Sequence, residues 1–338
     1  MHEALSSGED SHLDLIRYAF DPERNAREML KDLKVAPDDL HWTWAKYFLC
    51  VHGTTPELLR SIVADNAVFS YAELEKKHPH VTGNRKERAT DGLDIELGLH
   101  QYGFWNVGRV HPEDIQPVYL CAPNTLMQSE GALVAPREIT HFGALVSPEA
   151  IAVRKQTQPN LDVEERNRSA AQQFFKTVVH GKDFREIFGR FLQRHYPRQY
   201  AHYLSAMFYP GVEPKIERIF GKQSVMNAWE GPQLKIPGAV PLSKVQSVLV
   251  TSLDPAVMEQ VQASGFRPDR IFSMKDALSD YAKFYGKTLG DYDDPTRTYG
   301  YIHLALRDLA LIGSHNEDGA DYPESMVAFK DRVASRPN

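Results

Sequence analysis

The chain has 338 residues and a formal net charge of −6, so one large domain, or one domain with an added helical lobe, is expected. The acidic balance argues against a mainly electrostatic nucleic-acid binder, no apolar run reaches membrane-spanning length, and the polar start of the chain lacks the pattern of a signal peptide. Cys50 and Cys121 are the only two cysteines and lie in apolar, strand-like runs, so they are predicted to stay reduced and buried, as suits a cytosolic compartment. No cysteine or histidine spacing typical of zinc is present, and no metal is predicted.

The first 44 residues are predicted to form amphipathic helices over 13–20 and 27–33 that brace a sheet. A continuous apolar run over 48–51 then predicts a short buried strand. It leads into His52-Gly53-Thr54, followed by a helix that Thr55 caps and that Pro56 opens. The pattern places His52 and Gly53 where the strand stops, and Gly53 would let a flat ligand approach the main chain. An ordinary strand-to-helix turn with a satisfied histidine explains the same residues.

Two later segments contain further candidate residues. Residues 67–70 are predicted to be extended and 71–75 to form a turn of helix. Tyr102-Gly103-Phe104-Trp105 follows, and strand alternation puts Tyr102 and Phe104 on one face, where either ring could stack on a flat aromatic amide. Ordinary core packing is the competing explanation for these rings.

The rest of the chain alternates strand and helix patterns. Strands are predicted over 118–121 and 143–146. Ser147 is then expected to cap a short turn or helix, and a long helical tract is predicted over 163–209. Residues 233–236 and 245–250 are predicted to form two strands joined across a turn that contains Gly238 and two prolines. From 254 onward helices are expected, over 257–263, 274–285 and 301–311.

The order of these motifs resembles the ADP-ribosyltransferases of the diphtheria-toxin and PARP type. The resemblance runs from about residue 47 to 251. It rests on the strand with His52-Gly53-Thr54, the helix after it, the Ser-x-x-Glu-Leu of 70–74, the aromatic strand, and a distal Glu230 followed by Pro237-Gly238-x-Val-Pro-Leu-Ser. It implies an α+β fold, a split and mostly antiparallel β-sandwich. The expected organisation is a helical segment 1–44, a catalytic domain 45–252 and a C-terminal helical region 253–338 that could pack on the same domain.

The resemblance also implies roles for individual residues. His52 would hold a ribose hydroxyl of NAD, the co-substrate, and Gly53 and Thr54 would present main chain to the nicotinamide amide. Tyr102 or Phe104 would stack on the nicotinamide. Glu230 would be the catalytic carboxylate that stabilises positive charge as nicotinamide leaves. Another alignment puts the uncharged Gln233 at the position of the catalytic acid. Glu217 is a further candidate for the acid, although no motif supports it.

The middle of the chain is similar to bacterial effector enzymes of the CteC and OspC type, which implies transfer of ADP-ribose to a host protein such as ubiquitin. A soluble chain is expected, in the bacterial cytoplasm or secreted into a host cytosol without a classical signal peptide. Three alternatives stay open: a nucleic-acid ADP-ribosyltransferase, a catalytically silent interaction module on the same fold, and an unrelated α+β binding protein. The acidic charge weighs against the first of these.

Overall fold

The computed structural model describes residues 21–24, 49–79, 91–108, 110, 115–135, 138–184, 232–266 and 271–285, together with positions 292, 298, 301, 302, 305, 306 and 309. The predicted N-terminal brace, Glu217 and Glu230 lie outside these residues. The described strands are β1 Cys50–Thr54, β2 Ala67–Phe69, β3 Tyr102–Val107, β4 Val118–Ala122, β5 Leu133–Ala135, β6 Val179–His180, β7 Gln233–Pro237, β8 Ala239–Pro241, β9 Ser247–Val250 and β10 Ile271–Ser273. The α-helices are α1 Pro56–Asp65, α2 Tyr71–Lys77, α3 Asp91–Glu96, α4 Pro148–Thr157, α5 Val163–Phe175, α6 Pro255–Ala263 and α7 Met274–Tyr285.

The fold is α+β, as predicted, and is built on one large mixed sheet. Eight strands follow the order β10-β9-β4-β1-β3-β7-β5-β6, and β2 pairs with β8 in a separate two-stranded sheet. Neighbouring strands of the large sheet are antiparallel except β9 and β10, which are parallel. The strand at β10 was not predicted from the sequence, and it adds part of the C-terminal region to the same sheet.

Helices cover both faces of this sheet. One face, here called the Trp105 face, packs its strands against Leu59 of α1 and Val261 of α6. The opposite face, here called the Lys235 face, carries two further apolar clusters. One lies over β1, β4 and β9 and includes Met274 and the described positions of 301–309, and the other lies over β3 and β5 and includes α5. No helix among the described residues is both long and apolar enough to cross a membrane.

Local capping signals set several of these boundaries, and the caps at Thr55 and Ser147 were predicted from the sequence. Thr55 caps α1 by accepting from the Leu58 amide, and Pro56 is the first helical residue. Ser70 caps α2, which runs to Lys77, and Ser147 caps α4, which extends to Thr157. Because a cap satisfies an amide that the first helical turn leaves unbonded, these side chains mark where each helix begins.

Three predicted elements were wrong, each because of a long-range contact. Residues 143–146 form no strand, because the Asn167 side chain bonds both the amide and the carbonyl of Leu145. The helical tract predicted over 163–209 is interrupted after Phe175, because Val179 and His180 pair with β5, and positions 185–209 of that tract lie outside the described residues. The strands at 233–237 and 247–250 are not partners across a turn. The first pairs with β3 and β5, and the second with β4 and β10.

Candidate functional site

The predicted strand-to-helix corner is present, with one change in its boundaries. Strand β1 begins at Cys50 and continues through His52-Gly53-Thr54, so the motif lies inside the strand and not after it. His52 pairs with Leu120 of β4, and Gly53 pairs with Tyr119. The expectation of open main chain at His52 and Gly53 is therefore wrong on the β4 side. Main chain accessible to a ligand could lie only on the side of β1 that faces β3.

On that side, β1 and β3 separate after two residue pairs. Cys50 pairs with Val107 and Val51 with Asn106, and the pairing stops there. In a continued antiparallel ladder, Gly53 would be the next residue bonded to Phe104. Instead, the imidazole of His52 takes this place, with its Nδ1 2.8 Å from the Phe104 carbonyl oxygen. The side chain of His52 thus marks the point where the two strands diverge.

This contact sets the proton arrangement of the His52 ring. A carbonyl oxygen can only accept, so Nδ1–H is the donor to Phe104, and in the neutral ring Nε2 carries the lone pair. The indole of Trp105 lies beside the imidazole, with ring centroids 5.2 Å apart and planes tilted by 42°. The Trp105 side chain is buried, and its indole N–H has no hydrogen-bond partner among the described residues. His52 is therefore held by a main-chain oxygen and by an indole.

Gly53 is constrained by space. A Cβ at this position would lie 2.5 Å from Cγ of Gln116 and 3.2 Å from Cε1 of Tyr119. Any side chain here would therefore displace the side chain of Gln116, a residue whose main-chain N–H donates to the Tyr119 hydroxyl. Thr54, the third residue of the motif, is buried and pairs with Val118.

The aromatic strand β3 lies between β1 and β7, the strand that follows the predicted catalytic carboxylate. Tyr102 pairs with Pro237, Phe104 with Lys235 and Asn106 with Gln233. Since directly paired residues point to the same face, Tyr102 and Phe104 share the Lys235 face, as the alternation predicted. Both rings are partly buried and pack against the cluster over β3 and β5.

The structure therefore places the predicted site residues on two different faces of the sheet. The ring against His52 is that of Trp105, on the Trp105 face, whereas the rings of Tyr102 and Phe104 lie on the opposite face of β3. His52 reaches the main chain of Phe104 and not its ring. Stacking of Tyr102 or Phe104 on nicotinamide stays a prediction, and a site that uses both faces would have to lie where β1 and β3 diverge.

A buried lysine on β7 is the feature that the sequence reasoning missed. Lys235 is 2% exposed, and its Nζ lies 3.8 Å from the centroid of the Phe104 ring. It donates to Oε1 of Gln233 at 3.0 Å, and Nε2 of Gln233 donates to Oε1 of Glu138 at 2.5 Å. Burial lowers the pKa of Lys235, while the nearby charges of Asp94 and Glu138 act in the opposite direction.

The sequence carries a weak signal for this cluster. Gln233 and Lys235 are two apart in a strand and alternate with the apolar residues Leu234 and Ile236, so alternation alone places the two polar side chains on one face. Glu138 could not be linked to them from the sequence, because it lies 95 positions away, immediately before the 3-10 helix Ile139–Phe142. Among the described residues, no group of three or more His, Cys, Asp or Glu side chains could hold a metal ion.

Comparison with known proteins adds no assignment. No model of a protein family matches the chain, and a search of curated proteins finds no match to it.

Proposed function

We propose that this protein is a mono-ADP-ribosyltransferase that transfers ADP-ribose from NAD to a protein. The observation that supports this most is the position of three strands. The strand with His52-Gly53-Thr54, the aromatic strand and the strand after Glu230 are far apart in sequence, yet they lie side by side as β1, β3 and β7. The resemblance requires those three segments to act on one substrate, and adjacent strands are a simple way to achieve that.

The finer fold is part of the same proposal. An ADP-ribosyltransferase-like split β-sandwich has a cleft where its sheet opens, and β1 separates from β3 immediately after Val51. We place the NAD site at this divergence. There Nε2 of His52 would accept from a ribose hydroxyl, the main chain at Gly53 and Thr54 would contact the nicotinamide amide, and Tyr102 or Phe104 would stack.

The reaction breaks the bond between the anomeric carbon of the nicotinamide ribose and the ring nitrogen of nicotinamide. The bonding pair leaves with nicotinamide, which becomes neutral, and positive charge develops on the ribose. A nucleophilic side chain of the acceptor then bonds to the anomeric carbon and loses its proton to solvent. A carboxylate beside the ribose would lower this barrier by electrostatic stabilisation. The sequence assigns that role to Glu230.

The proposed acceptor is a protein, and for an effector of the kind that the sequence resembles it would be a host protein such as ubiquitin. A net charge of −6 disfavours a nucleic acid as the general acceptor. A silent interaction module is the second candidate. It is favoured by Gln233, whose amide carries no charge and is bonded on both sides within the Lys235 cluster.

Incubation with labelled NAD separates these functions. The protein is mixed with cell lysate, with purified ubiquitin and, separately, with purified nucleic acid, and a His52→Asn variant serves as the control. Label on a protein that depends on His52 supports the proposal. Label on nucleic acid would show that the acceptor is a nucleic acid and not a protein. The absence of label together with the absence of NAD binding would contradict the enzyme assignment.

A further inference from the structure

The glycine at position 53 is required by its neighbours and not by its own backbone. Gly53 is not one of the glycines with a positive φ angle, so its main chain has a conformation that any residue can adopt. Because glycine weakens a strand interior, alanine would ordinarily be tolerated at such a position. A Cβ built on Gly53 nevertheless lies 2.5 Å from Cγ of Gln116 and 3.1 Å from its Cβ. The side chain of Gln116 therefore occupies the space that a side chain at position 53 would need.

Gln116 is held in this position through its main chain. Its N–H donates to the hydroxyl of Tyr119 at 2.9 Å, and its carbonyl oxygen accepts from Oγ1 of Thr251 at 2.6 Å. Both partners are buried. Since the main chain is bonded on both sides, Cβ of Gln116 has little freedom to move, and Cγ can leave Gly53 only by a change of rotamer.

The C-terminal region contributes to the same arrangement. The hydroxyl of Tyr292 donates to the carbonyl oxygen of Thr251 at 2.5 Å. The ring of Tyr292 stacks on that of Tyr301, with centroids 6.3 Å apart and planes 15° apart, and both rings pack against the cluster over β1, β4 and β9. Thr251 is thus bonded to Gln116 through its side chain and to Tyr292 through its main chain.

We infer that Gln116 is a positioning residue for the main chain of Gly53, and that Tyr292 holds Gln116 in place through Thr251. The geometry of the end of β1 then depends on a residue of the C-terminal region. The consequence for ligand binding rests on the proposed function, because only that function assigns a ligand to the main chain of Gly53. The steric relation between positions 53 and 116 does not depend on it.

A double-variant cycle in the full-length protein tests the steric relation through the melting temperature. Gly53→Ala should lower it by about 3–6 °C, because the new Cβ overlaps Gln116. Gln116→Ala keeps both main-chain hydrogen bonds and removes Cγ, so the closest remaining Gln116 atom is Cβ at 3.1 Å. The double variant should therefore recover about half or more of the loss.

Additive losses in the cycle would overturn the inference, because they would show that Gln116 and position 53 act independently. If Gly53→Ala alone fails to fold, circular dichroism of the double variant decides: a folded double variant supports the inference, and an unfolded one overturns it.

Titration calorimetry with NAD tests the consequence for the proposed site. Gln116→Ala should weaken NAD affinity by about 3- to 10-fold, because the main chain of Gly53 loses its support and small displacements of contacting groups are costly. Tyr292→Phe, which removes only the hydroxyl, should weaken it in the same direction. Gln128→Ala is the matched control, since Gln128 is an exposed glutamine at the end of the 3-10 helix Asn124–Gln128, and it should bind NAD normally.

The outcomes separate this inference from the proposed function. A wild-type protein that does not bind NAD would contradict the proposed function, and the melting temperatures of the cycle would still decide whether Gln116 positions Gly53. Normal NAD affinity in both Gln116→Ala and Tyr292→Phe would overturn the inference and leave the proposed function intact. Recovery in the cycle together with weaker NAD binding by Gln116→Ala would support both.

Discussion

Replacing His52 by asparagine and by alanine tests the two nitrogens of its ring separately. The amide nitrogen of asparagine can take the place of Nδ1 and keep the hydrogen bond to the Phe104 carbonyl, which is 2.8 Å long in the native protein, but it has no group at the position of Nε2. Alanine removes both. The two variants therefore share the loss of the proposed ribose contact and differ in the contact that joins β1 to β3.

The structure sets the expected magnitudes. For His52→Ala, the partly buried Phe104 carbonyl loses its donor and Trp105 loses its neighbouring ring, so the free energy of unfolding should fall by about 1–3 kcal/mol. For His52→Asn it should change by less than about 1 kcal/mol. One hydrogen bond of about 0.5–1.5 kcal/mol to the ribose corresponds to a roughly 2- to 10-fold weaker NAD affinity, and this loss should be present in both variants.

Urea denaturation measures the first quantity and titration calorimetry with NAD measures the second. His78→Ala is the control, since His78 bonds Asp65 at 2.7 Å at the end of α2, away from the proposed site, and NAD affinity should not change. If His52→Asn binds NAD as tightly as the wild type, Nε2 does not contact the substrate. If His52→Ala is as stable as the wild type, the contact with Phe104 does not hold β1 to β3.

Four further outcomes are expected. Glu230→Gln should change NAD affinity and melting temperature little and should lower turnover of labelled NAD by about 100-fold, with the three quantities measured on the same preparation. Burial lowers the pKa of Lys235. Because the unfolded chain then binds more protons than the folded chain, the free energy of unfolding should rise as the pH approaches 10.5, the ordinary pKa of lysine. Urea denaturation at several alkaline pH values should show this rise in the wild type and not in Lys235→Met. Burial raises the pKa of the Cys121 thiol from 9.0 to about 12, because the folded protein favours the neutral thiol. The stabilisation from the buried neutral thiol is therefore complete below pH 9.0, and above it the free energy of unfolding should fall by about 1.4 kcal/mol per pH unit. Cys121→Ala should reduce that alkaline loss in the same assay. Thr55→Ala, which removes the cap of α1, should lower the unfolding free energy by about 1 kcal/mol in urea denaturation at neutral pH.

Sequence reasoning succeeded where the signal was local. The caps at Thr55 and Ser147 and the first helical residue Pro56 specify helix starts through contacts within three or four residues. The alternation of Tyr102 and Phe104 on one face follows from strand geometry, which needs no partner to be known. These features and the α+β class could be predicted because each depends on residues that are close in the chain.

The tertiary structure alone decided which segments meet. His52 contacts Phe104 across 52 positions, and Gln233 contacts Glu138 across 95. Neither pair shares a local pattern, because hydrogen bonds between strands depend on the register and on the point where pairing stops. Strand pairing also interrupts the helical tract predicted over 163–209 after Phe175, and it places the rings of Tyr102 and Phe104 on the face of β3 opposite His52. The sequence determined the elements and the chemistry that each one carries, and the packing of the sheet determined which of these groups act together.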